Sequence, residues 1–206
     1  MIKINKDKKE FHIFWTGGFD STFLLLYFLK YSSDDSKIYP IYISCEIDKR
    51  KSHNNELTTI HNIFSKINNQ YNKKLQNINI INNVTLDNEI KKLTFNFYEN
   101  INQYSYIAQI CKNYNIDGYI AIVRDDKNWK KDVILNQNTS EACFDLKNND
   151  FLLFERFRVP LIKYYKKDLF NFCDDFKQIL CETWSCWFPI NNKQCKKCKM
   201  CLERII

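Results

Sequence analysis

Two hydrophobic patterns alternate along this chain: short continuous apolar runs, and longer stretches with apolar residues at helical spacing. "FHIFW", residues 11–15, is a run of the first kind. After a glycine pair comes "DSTFLLLYFLKY", whose length and apolar density suit a buried helix. "KIYPIYISCEI", residues 37–47, predicts a second strand. Residues 52–71 then place Leu57, Ile60, Ile63, Phe64 and Ile67 on one helical face. "NINIINNV", residues 77–84, alternates in part and predicts a third strand. Asn100 to Tyr114 reads as a helix and "IDGYIAIV", residues 116–123, as a further strand. Strands alternating with helices of this length predict an α/β fold, a Rossmann-like parallel sheet with helices on both faces. The polar stretch 124–150 has no clear period and is expected to be a long functional loop with a helix inside it. "VPLIKYYKKDLFNFCDDF", residues 159–176, predicts an extended, proline-containing lead into another helix.

Composition narrows the class. Hydrophobic residues make up 45% and aromatics 16% of 206 residues, which excludes a disordered polymer. A chain of this length buries roughly 70% of its unfolded surface, enough for one core. No apolar run approaches the ~20 residues that cross a bilayer, so no membrane association is expected. The N-terminal "MIKINKDKKEF" carries charge without an apolar segment of signal-peptide type, so a cytoplasmic location is expected. The formal net charge of +7 is spread over many lysines without an arginine cluster or basic stripe, and direct nucleic-acid binding is not expected.

The three glycines make the pair at 17 and 18 conspicuous. Gly-Gly at the carboxyl end of a first strand lets the backbone take positive φ and lets a ligand approach closely. The following helix N-terminus adds orphan N–H donors and positive partial charge, a site for phosphate. Thr16, Ser21 and Thr22 can donate hydroxyl hydrogen bonds, and Asp20 can hold Mg²⁺ bridging phosphate oxygens. The plainer alternative is a tight turn with Asp20 as helix cap. A Walker A loop is excluded by the missing GK[ST] ending, and a dinucleotide fingerprint by the missing third glycine.

Near the other end, Cys186, Cys195, Cys198 and Cys201 follow the spacing C-x8-C-x2-C-x2-C. In a reducing compartment such spacing points to metal rather than disulfides. Four thiolates complete a tetrahedral Zn²⁺ site with no open position, hence a structural one, with an iron–sulfur cluster as the alternative. Bound zinc would lower the net charge by two. Cys181 lies just outside the set and is read as a bystander, as are Cys45, Cys111, Cys143 and Cys173.

"WTGGFDST", residues 15–22, resembles the SGGxDS loop of the PP-loop ATP pyrophosphatases, with Thr16 in place of the serine. Together with the four-cysteine tail it resembles the 7-cyano-7-deazaguanine synthase family. "SHNNELTTIHNIF" is similar to that family's RHxxELxxAxxIA segment, with His53, Glu56 and Leu57 in register. "VPLIKYYKKDLFNF" is similar to TPLxxLTKxEIxxLA, with Pro160, Leu161 and Lys166 in register. "TWSCW" stands where the family has T-x-SCY, and "CKKCKMCLER" where it has CGxCxxCxxR. The resemblance implies an adenine nucleotide alpha hydrolase fold over 1–180 and a zinc-binding tail over 181–206 packed on the same domain. It implies an ATP-dependent C–N ligase that adenylates 7-carboxy-7-deazaguanine, adds ammonia and dehydrates the amide to the nitrile. ATP would sit on residues Thr16, Gly17, Gly18, Phe19, Asp20, Ser21 and Thr22. Asp20, Ser21 and Lys166 would take catalytic roles, and a homodimer is expected.

Two of the family's motifs are missing. Its GRN motif corresponds here to "FYENINQYSYIAQI", where Asn102 stands near the asparagine but the Gly-Arg pair is gone. Its YPDCR motif corresponds to "IVRDDKNWKKDVILNQ", where Asp132 is a loose counterpart of the aspartate. Arg124, Asp125, Asp126 and Lys131 can rebuild a pocket for a purine-like base or remain solvated loop charges. The alternatives are a diverged ligase that passes the activated acid to another amine, a silent ATP- or base-binding module, and a tRNA-thiolating relative.

Overall fold

The computed structural model describes residues 2, 4–44, 51–92, 103–124, 156–172 and 174–202, and the backbone of 133–135 and 142–144. Strand β1 (Glu10–Phe14) lies at the centre of a five-stranded parallel sheet. It is flanked by β2 (Lys37–Ile43) and then β3 (Asn79–Ile81) on one side, and by β4 (Gly118–Tyr119) and then β7 (Phe157–Arg158) on the other. Glu10 pairs with Lys37, His12 with Gly118, Ile41 with Asn79 and Gly118 with Phe157.

Both faces of the sheet are covered, which explains why its strands read as continuous apolar runs. Phe11 and Ile13 of β1, with Ile38 and Tyr42 of β2, pack with α1 (Phe19–Tyr31) and α2 (His53–Tyr71). Phe14 and Ile41, pointing the opposite way, pack with Ile107, Ile110 and Cys111 of α3 (Gln103–Tyr114). Helix α1 is buried from Phe19 to Leu29 except at Asp20, so it carries no polar stripe. Helix α2 buries only the stripe His53, Glu56, Ile60, Ile63 and Ile67. Gly118 sits where α3 presses on the sheet. A Cβ there would lie 2.5 Å from the Phe14 ring and 2.8 Å from Cys111 Sγ.

Within 124–150, expected as a long loop with a helix inside it, the described residues form an antiparallel pair, β5 (Val133–Leu135) with β6 (Ala142–Phe144). Val133 and Ile134 are β-branched and favour strand over helix, a local preference that the polar residues around them hide from periodicity. Two short helices follow β7, α4 (Lys166–Asn171) and α5 (Lys177–Leu180), and α6 (Lys199–Leu202) closes the described chain. Among the described residues no helix is long and apolar enough to cross a membrane.

Candidate functional site

The sheet order reverses at β1, where successive strands run to one side and then the other, and such switch points open a crevice at the carboxyl ends of the strands. The glycine pair occupies that position. Gly17 has φ +73, and an added Cβ would meet Ile60 Cγ1 at 3.1 Å and the Glu56 carbonyl at 3.4 Å. Gly18, extended at φ −76, is the N-cap of α1, so the cap is Gly18 and not Asp20.

Hydroxyls hold the loop closed. Ser21 Oγ accepts from the Thr16 N–H at 3.2 Å, lies 3.1 Å from Thr16 Oγ1 and donates to the Gly18 carbonyl at 3.2 Å. The Gly18 N–H reaches Thr16 Oγ1 at 3.4 Å, and the first intrahelical bond, Thr22 N–H to Gly18 carbonyl, follows at 3.0 Å. Thr22 faces away from any ligand: its fully buried hydroxyl accepts from the Trp15 indole N–H at 2.9 Å and supports the loop from behind. Phe19 is also buried, stacked on Phe170 at 6.0 Å between ring centroids.

Lys166, the first residue of α4, reaches over this loop. Its Nζ lies 3.4 Å from Asp20 Oδ2 and 5.7 Å from the centre of the Phe19 ring, and its side chain is 12% exposed. A partly buried lysine beside a carboxylate on a phosphate-type loop is an arrangement that can neutralise developing phosphate charge. Arg124 stands on the same rim. Its backbone N–H donates to the Tyr164 carbonyl at 2.8 Å and its guanidinium lies 4.9 Å from the Tyr165 ring, which directly precedes Lys166. Asn102, Asp125, Asp126, Lys131 and Asp132 lie outside the described residues, as do Cys45, Cys173 and the Cys143 side chain.

A buried polar network beneath the loop joins β2 to α2. Glu56 accepts from Tyr42 Oη at 2.9 Å and from Ser52 Oγ at 2.6 Å. Tyr42 Oη also lies 3.1 Å from His53 Nδ1, and Ser44 Oγ lies 3.4 Å from His53 Nε2. His53 and Glu56, matched in sequence to the RHxxEL segment, thus fix the start of the helix whose Glu56 carbonyl and Ile60 face Gly17.

The four cysteines converge beside this site. Their sulfurs all lie within 4.8 Å of one another, and Cys195 Sγ is 3.9 Å from Cys201 Sγ. A single tetrahedral ion with metal–sulfur bonds of about 2.3 Å sets its sulfurs about 3.8 Å apart, so the set fits one ion. Each cysteine of a four-iron cluster binds a different iron, which spreads the ligands further. Two turns make the convergence. Asn191 and Asn192 both have positive φ, and Ile190 and Lys193 exchange two 2.9 Å backbone bonds across them, returning the chain from Cys186 to Cys195. Lys196, φ +57, then lets the Lys197 and Cys198 N–H groups point at Cys195 Sγ, at 3.5 and 3.3 Å. Those N–H groups, Lys197 foremost, lower the Cys195 pKa. Burial raises Cys198, but backbone donors from Trp187 and Cys201 outweigh it and bring that thiol down to about 6. Burial pushes the other two thiols up, Cys186 and Cys201, the latter to about 12, so a divalent ion bound by all four would have to displace their protons. The tail is tied to the loop directly: the Trp184 N–H donates to the Gly17 carbonyl at 2.9 Å. Sequence reasoning missed this bond and the Asn191–Asn192 turn, although paired asparagines are a readable turn signal.

Residues 137–205, about a third of the chain, match the family model described as Queuosine biosynthesis protein QueC. Among solved structures, the U34-tRNA thiolase NcsA from Methanococcus maripaludis, seen with its 4Fe–4S cluster, is similar at 16% identity and a TM-score of 0.45. That match covers 85% of this chain and 58% of the thiolase, so the chain spans less than two thirds of the thiolase's length. No curated protein matches the chain by sequence.

Proposed function

We propose that this chain is a QueC-like PP-loop enzyme that uses ATP to adenylate a carboxylate on a deazaguanine-type base, with 7-carboxy-7-deazaguanine as substrate and the nitrile as product; the match of residues 137–205 to the QueC model supports this reading. The observation that carries the reading is the Thr16–Ser21 turn, with left-handed Gly17 and the Asp20–Lys166 pair beside it, at the carboxyl end of the central strand.

A carboxylate is a poor electrophile, and the residues present suit its activation. Backbone N–H groups of the glycine turn and the Ser21 hydroxyl bind the β and γ phosphates of ATP. Asp20 would hold Mg²⁺, which would neutralise phosphate charge. Lys166, beside Asp20, adds a positive charge. The α phosphorus is left open, so that a substrate carboxylate oxygen attacks it and pyrophosphate departs. Ammonia then attacks the acyl carbon, AMP leaves with the acyl oxygen bond, and an amide results. A second ATP activates the amide oxygen, whose loss gives the nitrile. Cys186, Cys195, Cys198 and Cys201 would hold Zn²⁺ with no vacant position, so the metal would brace the tail that is bonded to Gly17.

The absent Gly-Arg pair and YPDCR motif support a second reading, in which the activated base is passed to another amine. Incubation of the protein with Mg-ATP, ammonium and 7-carboxy-7-deazaguanine, followed by mass spectrometry, separates the two. Nitrile with AMP is the expected result. AMP with an accumulating adenylate or amide points to the diverged ligase, and no AMP at all refutes both.

A further inference from the structure

The surface of the cysteine-bearing tail is unlike the rest of the molecule. Trp187 is 52% exposed and Phe188 55%, next to each other on an extended segment, with Ile190 beyond them at 59%. A monomeric protein rarely leaves two adjacent large aromatics this open without a use for them. They line a cavity of about 520 Å³ together with Lys51, Lys197 and Lys199, so lysines far apart in sequence share one cavity with the two aromatics. From Thr183 to Leu202 there is no aspartate or glutamate, while Lys193, Lys196, Lys197 and Lys199 all fall within it. Four thiolates on one divalent ion carry a net charge of minus two, which these lysines and Lys51 outweigh.

We propose that this surface binds single-stranded nucleic acid, with bases stacked on Trp187 and Phe188 and phosphates held by Lys51 and Lys197. Exposed π-faces flanked by cations are the combination that holds an unpaired strand, since every base offers a face to stack and every nucleotide a negative charge. A duplex hides its base faces and leaves the aromatics unused. A second copy of this chain would bring the same lysines against these and be repelled. The even spread of lysines along the sequence gives no stripe. The fold makes one by placing Lys51, two residues before α2, against the tail. The proposal stands apart from the ATP chemistry, and its test is a binding measurement that does not depend on turnover.

The full-length, metal-loaded protein is titrated into a labelled oligouridylate of about 12 nucleotides, well within the site sizes of such platforms. Binding is expected to weaken about sevenfold between ~50 and ~200 mM salt, since two phosphate contacts each carry a log–log slope of about −0.7 through the counterions they displace. Trp187→Ala and Phe188→Ala are each expected to weaken it by about tenfold, the loss of one stacked base. Both residues are exposed, so melting temperature and metal content should not change. Lys51→Glu and Lys197→Glu should each flatten the salt dependence. No binding at ~50 mM salt overturns the proposal. So does equal affinity for a duplex of the same length, or wild-type affinity in Trp187→Ala. Preferential binding of polyglutamate overturns it as well and makes an acidic protein segment the occupant.

Discussion

Lys196 stands where the resembling family has glycine, and it keeps the backbone that glycine would take, at φ +57. A left-handed conformation costs a non-glycine residue about 1–2 kcal/mol, part of which glycine returns through its looser unfolded chain. Lys196→Gly is therefore expected to stabilise the tail by up to ~1 kcal/mol, read as a higher melting temperature or tighter metal retention against a chelator. Gly17 presents the opposite case. Gly17→Ala must adopt φ +73 against Ile60 and should cost about 1–3 kcal/mol in urea unfolding while depressing ATP use. Asp20→Ala tests chemistry more than folding: AMP formation should disappear while the melting temperature stays within a few degrees, because the side chain is partly exposed at the loop. Retained AMP formation would sink the loop assignment.

The N-terminal turn of α2 carries more than its own helix. Glu56 is 6% exposed and takes hydrogen bonds from Tyr42 and Ser52, so Glu56→Ala removes the carboxylate partner of two buried hydroxyls and leaves Tyr42 with His53. The expected loss is about 2–4 kcal/mol in urea unfolding, with Glu56→Gln recovering much of it because the amide still accepts one bond. The proposed zinc would brace the tail in a comparable way. Cys198→Ser should leave the protein without stoichiometric zinc by elemental analysis and lower its melting temperature, since binding free energy is folding free energy at such a site. A variant retaining both would remove the structural role, and iron in place of zinc would change the ion assigned to it.

The two-faced sheet makes the whole fold sensitive to alkali. Burial beneath α3 pushes the Cys111 thiol from 9.0 up to about 12, and burial pushes Tyr27, whose hydroxyl donates to the Ile2 carbonyl, from 10.0 to about 12. Both groups are neutral in the fold and ionise more readily once unfolded. Their contribution is complete below pH 9 and declines as pH rises from 9 toward 12. Unfolding by urea at pH 8, 9 and 10 should show falling stability, and Cys111→Ala should flatten that fall. Much of this architecture is legible in one dimension, because apolar runs and 3.6-residue stripes report which faces must leave water, and Gly17–Gly18 and the cysteine spacing report local chemistry. The alternating elements, the tight glycine turn after β1 and the convergence of Cys186, Cys195, Cys198 and Cys201 all follow from neighbours in sequence. Contacts between distant segments do not. The Asp20–Lys166 approach, the Trp184 bond to Gly17, the Tyr42–His53–Glu56 network and the meeting of Lys51 with Trp187 depend on strand order, which places the ends of β1, β2 and the tail at one edge of the sheet. Periodicity records how much each face buries and is silent on which other face it buries against, and that choice is made only when the sheet assembles.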